Sequence, residues 1–330
     1  MPADRRPPRY PPPKFPMTRP KLFANTPPAI FPPLLGLIGL GLALRQSLVA
    51  LDLPPDPVEV LLGALLGLWA FAVLAIAVKA IRRPAVVVED LRPLPGRAGL
   101  AAASMSGMAA AGLIAPHAPG LAVVLAFASL FAHAILALLL IPVMRAQGED
   151  GLSPNPSWHL SFVGFIVAAP VLARLGWAQT ATVLFWVTLP VALAIWLLSL
   201  IQLIRRIPPA PLRPMLAIHL APAALLSSTA TLIGQHAMAE ALILLSIAIL
   251  AALVASLRWL LASGFSPIWG AMTFPLAAFA TALLIYGGPA TMPGLIVALA
   301  GLGIIPAIAW SILRLWPAGK LAAKTNAATA

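Results

Sequence analysis

The chain has 330 residues, of which 61% are hydrophobic and only 9% charged; its formal net charge is +12 and it has no cysteine. A soluble domain carries charge at about 25% of its positions, so an ordinary soluble fold is excluded, and the missing cysteines exclude disulfides, thiol nucleophiles and thiolate metal sites. The basic residues flank apolar stretches on one side, which is the charge bias of membrane topology with added attraction to a lipid bilayer's anionic headgroups, and they give no sign of a nucleic-acid partner.

Residues 1–27 are basic and rich in proline, running from Arg5, Arg6 and Arg9 through Pro11, Pro12 and Pro13 to Lys21. Prolines at this density prevent helix formation and bury nothing, so the segment is expected to be a disordered cytoplasmic tail. It lacks the short apolar core and small-residue cleavage site of a signal peptide. Ten stretches follow at 28–51, 58–81, 97–115, 119–144, 157–175, 178–204, 212–234, 237–262, 266–287 and 289–316. Each is near the length of about 20 apolar residues that crosses a bilayer core. Residues 28–316 are therefore expected to form an all-α integral membrane domain of ten spans, and 317–330 a cytoplasmic C-terminal tail.

The gaps alternate in kind. Tight turns follow the odd spans: Leu53-Pro54-Pro55-Asp56, Pro116-His117-Ala118-Pro119, Gly176-Trp177, Gly234-Gln235-His236 and Gly287-Gly288-Pro289. Longer or more basic links follow the even spans, so the chain reads as five helical hairpins. Of the 21 Lys and Arg residues, all but Arg45 and Arg174 fall on the side of the termini. The positive-inside rule then places both termini in the cytoplasm, in a bacterial inner membrane.

Four odd spans share a proline followed by small or aliphatic residues: Pro33 in span 1, Pro170 in span 5, Pro222 in span 7 and Pro275 in span 9. Span 3 has Ser104-Met105-Ser106-Gly107 instead. Proline in a helix frees a carbonyl one turn back and bends the axis, and lipid cannot satisfy that carbonyl. Odd helices are therefore expected to form an inner, pore-lining ring and even helices an outer one.

All nine acidic residues lie in the tail, in loops or at span ends. Cation pores and proton-coupled pumps rely on carboxylates within the membrane or on carbonyl filters, so a cation is a poor match for the cargo. Arg45, in the outer third of span 1, reads either as snorkelling to the outer headgroups or as a cation at the outer mouth. His133 in span 4 and His219 in span 7 sit on non-adjacent spans, and His159 sits at the inner end of span 5 as an interfacial anchor. No paired His or acid cluster points to an enzyme, a cofactor or a metal. Small hydroxyls recur on odd spans, among them Ser104, Ser106, Ser227, Ser228 and Thr273; they read as groups that solvate an anion or as helix-to-helix hydrogen bonds. Phe274, directly before Pro275 on a wall of small residues, reads as core packing or as a plug in a narrow hole.

Several segments together resemble the tellurite-resistance/dicarboxylate transporter family, which includes the plant slow anion channels. They are Phe31-Pro32-Pro33-Leu34-Leu35-Gly36-Leu37, Pro156-Ser157-Trp158-His159-Leu160, Leu212-Arg213-Pro214-Met215 through Leu220-Ala221-Pro222-Ala223, and Trp269-Gly270-Ala271-Met272-Thr273-Phe274-Pro275. The resemblance spans about residues 27 to 316. It implies a homotrimer in which each subunit has its own conduit for small anions (dicarboxylate, tellurite or inorganic), and it implies that Phe274 is the pore gate. A ten-span metabolite or drug exporter is the alternative, but such carriers usually show two matching halves of inverted orientation, whereas the repeat here is a two-span hairpin.

Overall fold

The computed structural model describes residues 21–330, which form helices and no strand; most of the Pro-rich tail thus lies outside the described residues. Fourteen helices follow in order: α1 (Pro28–Ala50), α2 (Asp56–Arg82), α3 (Ala85–Leu91), α4 (Leu94–Ile114), α5 (Pro119–Ala146), α6 (Gly148–Leu152), α7 (His159–Arg174), α8 (Ala178–Arg205), α9 (Ala210–Leu232), α10 (His236–Ala255), α11 (Leu257–Leu260), α12 (Pro267–Tyr286), α13 (Gly288–Leu313) and α14 (Lys320–Thr325). Eight of them are long and apolar enough to cross a membrane. The other two at expected span positions are α4, diluted by glycine, serine and alanine, and the shorter α7.

Helices joined by tight turns pack against each other: α1 with α2, α4 with α5, α7 with α8, α9 with α10 and α12 with α13. A second set of contacts runs from α1 to α4, from α4 to α7, from α7 to α9, from α9 to α12, and from α12 back to α1. Burial separates the two groups. In the most apolar stretches of α1, α9 and α12, 61–72% of residues are buried, against 17–33% in α2, α5, α8, α10 and α13. The latter helices turn outward side chains such as Val60, Phe131, Leu138, Leu299 and Trp310, a surface whose natural solvent is lipid.

The prolines do not bend continuous α-helices. In α1, α9 and α12 a 3₁₀ segment at the end nearer the termini passes into α-helix, and in α7 a π turn and a 3₁₀ turn do so. Pro33, Pro170, Pro222 and Pro275 each occupy the third position of the α-helical part. Proline's missing N–H costs little within the first turn of a helix, where no carbonyl of that helix waits for it. The proline thus marks where the helix changes pitch.

Residues 21–27 pack against the C-terminal segment. Ala24 and Thr26 are buried, so 21–27 does not share the disorder expected of the tail, and 317–330 is more than a tail because α14 buries Leu321 and Thr325. The Ala330 N–H donates to the Ala24 carbonyl at 3.1 Å, and the Ala328 N–H to Asp90 Oδ1 at 2.7 Å. Asp90, on α3, is buried, and its other oxygen is 2.7 Å from Lys79 Nζ. Lys79 Nζ also donates to the Thr26 carbonyl at 3.0 Å, so this buried pair links α2 and α3 to residues 26 and 328 at one end of the bundle.

Candidate functional site

Two cavities of about 60 Å³ each lie along the axis enclosed by α1, α4, α7, α9 and α12. The one nearer the termini is lined by all five helices, for example by Pro32, Ala102, Leu160, Ala221 and Pro275, and all its lining side chains are apolar. The one toward the tight turns is again lined by all five, for example by Leu42, Ala109, Pro170, Ser228 and Thr281, and the two hydroxyls are its only polar side chains. No residue of α2, α5, α8, α10 or α13 lines either cavity, and Phe274 alone borders both.

The backbone positions that ring. Phe274 is the second residue of the α-helical part of α12 and is 6% exposed. Residues at the matching place in α1, α7 and α9 are Pro32, Ala169 and Ala221, all smaller than phenylalanine. Gly39 of α1 leaves room for the ring: a Cβ there would stand 3.0 Å from Phe274 Cδ2 and 3.1 Å from the Ala277 Cβ. Behind the ring, Thr273 Oγ1 lies 2.8 Å from the Gly270 carbonyl and 3.2 Å from the Pro32 carbonyl, which staples α12 to α1.

Four residues expected to offer polar groups to the path are used elsewhere. Ser104 Oγ is 2.7 Å from His133 Nδ1 on α5, Ser106 Oγ accepts from Trp69 Nε1 on α2 at 2.9 Å, and Ser227 Oγ donates to the Ala239 carbonyl on α10 at 2.9 Å. Together with Thr273 they line neither cavity. A small hydroxyl on a buried helix satisfies itself on whichever neighbour offers a partner, and here that neighbour is another helix. Ser228 and Thr281 are the hydroxyls that line a cavity; Thr281 had no special signal in the sequence. Pro170 and Pro275 line the cavities, while Pro33 and Pro222 are buried beside them.

Arg45 is not a free outer cation. Its Nε and Nη2 lie 2.7 and 2.8 Å from the two carboxylate oxygens of Glu59, and it also donates to the carbonyls of Gly112 and Leu113, both at 2.9 Å. The pair neutralises the charge and caps the open carbonyl end of α4. Arg174, hydrogen-bonded to Gln46 at 2.7 Å, is the cation at that end without a carboxylate partner among the described residues. His219 meets His159, not His133: their ring nitrogens are 3.0 Å apart, and His159 is buried in the bundle, not anchored at an interface.

The model of the SLAC1 voltage-dependent anion channel family matches residues 25–315. The chain belongs to this family. Its membership makes it a membrane anion channel or transporter, in a family whose members are channels and transporters, not enzymes. A search of curated proteins finds no match. In this SLAC1-family chain the matched stretch covers both cavities and every helix around them.

Proposed function

We propose that the five-helix axis is a conduit for small anions, closed at rest by the Phe274 ring. One observation carries this reading: the two cavities are walled by the same five helices, and Phe274 is the residue they share. In this reading all ten helices at the expected span positions cross the membrane as five hairpins, with the cavity-lining helices inside and their partners outside.

Preference for anions follows from what surrounds the path. Among the described residues no charged side chain lines either cavity, so no fixed charge there must be shed or matched. The lining helices all begin at the end of the termini, and the first residues of α4 and α12 (Leu94, Pro95, Pro267, Ile268) border the nearer cavity. Helix N-termini carry partial positive charge, which favours anions in a low-dielectric setting. Closure is hydrophobic: an aromatic ring across an apolar neck excludes water and, with it, a hydrated ion.

The cargo we propose is a tellurite, C4-dicarboxylate or small inorganic anion, carried in each subunit of a homotrimer in a bacterial inner membrane with both termini cytoplasmic. The Lys and Arg distribution supports that orientation. Proteoliposomes test the function. Chloride and succinate efflux from vesicles containing the purified protein is expected to rise at least tenfold with Phe274→Ala, while potassium efflux stays at the protein-free level. Potassium passing as readily as chloride would overturn the reading.

A further inference from the structure

Beside the path, at the end of the termini, lies a third and larger cavity of about 370 Å³. It sits among the start of α4, the link from α6 to α7, the end of α8 and the start of α9. Its walls carry Arg92, Arg97 and Arg206 with Gln147, Ser199 and Gln202, and no carboxylate lines it among the described residues.

Two of these groups are unfinished. Arg97 is 4% exposed, and the acceptors it reaches are neutral: Gln147 Oε1 at 2.8 Å and the carbonyls of Leu91 and Arg92 at 3.2 and 3.5 Å. Its Nη1 has no hydrogen bond among the described residues, and neither Arg97 nor the two rim arginines is in an ion pair there. Ser199 is 8% exposed, and its hydroxyl has no partner among the described residues. A buried guanidinium without a countercharge is costly, and a buried hydroxyl without a bond adds to the cost. Both costs fall if a bound anion supplies the missing charge and acceptor atoms.

The cavity also adjoins the path. Leu94 and Met215 line both it and the Phe274 cavity nearer the termini. We propose that this cavity is an antechamber that binds a free oxyanion at Arg97 and Ser199 before the anion moves past Leu94 and Met215 toward Phe274. The ligand chemistry is a carboxylate, phosphate or sulfate group, whose paired oxygens match the fork of a guanidinium. The route half of the proposal rests on the conduit reading above; the binding half does not.

Sulfate is the probe, titrated against the purified full-length protein at constant ionic strength, with the melting temperature as the readout. Wild type is expected to show a saturable rise. Arg97→Gln and Ser199→Leu, the second of which keeps the arginine and fills the space, are each expected to weaken apparent affinity at least tenfold. Arg258→Gln, which removes the same charge from an exposed site away from the cavity, is expected to leave it unchanged. Absence of saturation in wild type, or equal affinity in all the variants, overturns the site. The titration is repeated in phosphatidylcholine and phosphatidylglycerol nanodiscs, with sulfate expected to bind in both. Loss in phosphatidylglycerol alone would assign the site to a lipid headgroup and overturn the free-anion proposal. In a Phe274→Ala background, Arg97→Gln is expected to raise the half-saturating succinate concentration for flux; an unchanged value overturns the antechamber. Sulfate binding with no flux in any variant would overturn the conduit reading and the route, and leave the binding site standing.

Discussion

At the scale of single residues, the structure divides polar groups on the cavity-lining helices into those that bond neighbouring helices and those that border a cavity. Ser106 and Ser227 face α2 and α10, whereas Ser228 and Thr281 face the cavity toward the tight turns. Ser106→Ala is therefore expected to cost roughly 0.6 kcal/mol of stability, the typical worth of an interhelical hydrogen bond in a membrane, and to leave anion flux in the Phe274→Ala background unchanged. Thr281→Val is expected to lower that flux, because it removes one of two hydroxyls from the cavity toward the tight turns. Arg45 gives a sharper case. Removing it leaves two carbonyls of α4 without a donor and Glu59 with His117 Nε2, at 2.9 Å, as its remaining partner, so Arg45→Ala is expected to destabilise the protein by about 2 kcal/mol, between the values for exposed and buried pairs. Thermal unfolding measures this. Unchanged stability with reduced flux would restore Arg45 to the role of a mouth cation.

At the scale of elements, the sequence carried the helices well and their internal structure poorly. The tight turns after the odd spans were legible because glycine and proline punctuate long apolar runs, and observed helices match each expected span to within a few residues except at the end of span 8, where the chain breaks into α10 and α11. The recurrence of proline was legible too, but its consequence was not. A switch from 3₁₀ to α-helix depends on neighbouring backbone, such as the Pro32 carbonyl that takes the Thr273 hydroxyl, and no local pattern encodes that neighbour. The same limit explains Arg45: its partner Glu59 and the carbonyls of α4 are set by helix packing. The pitch change itself is testable. Alanine at Pro275 restores an N–H that can bond the carbonyl of Ala271, extending the α-helix and turning Phe274 away from its seat beside Gly39. Pro275→Ala is expected to raise anion leak several-fold, whereas Pro222→Ala, next to the small Ala221, is expected to change it far less. Equal effects of the two substitutions would contradict this use of the prolines.

At the scale of the whole molecule, charge and burial act on different surfaces. Most basic residues among those described gather at the end where residues 24–26, α3 and the C-terminal segment pack around Lys79 and Asp90, while the outward helices present apolar side chains. The chain has no cysteine, so single cysteines report topology cleanly. Ala318→Cys is expected to react with an impermeant maleimide only in inverted vesicles, and Gln235→Cys only from the cell exterior. Labelling of both from one side would overturn the orientation. The proposed path depends on all five cavity-lining helices, since each of them contributes to both cavities and Phe274 lies between the two. The most direct test is anion conductance across a size series at that position: Phe274, Phe274→Leu, Phe274→Val and Phe274→Ala, in proteoliposomes under one imposed gradient. Conductance is expected to climb as the side chain shrinks, with alanine highest. A flat series across all four proteins would contradict the account.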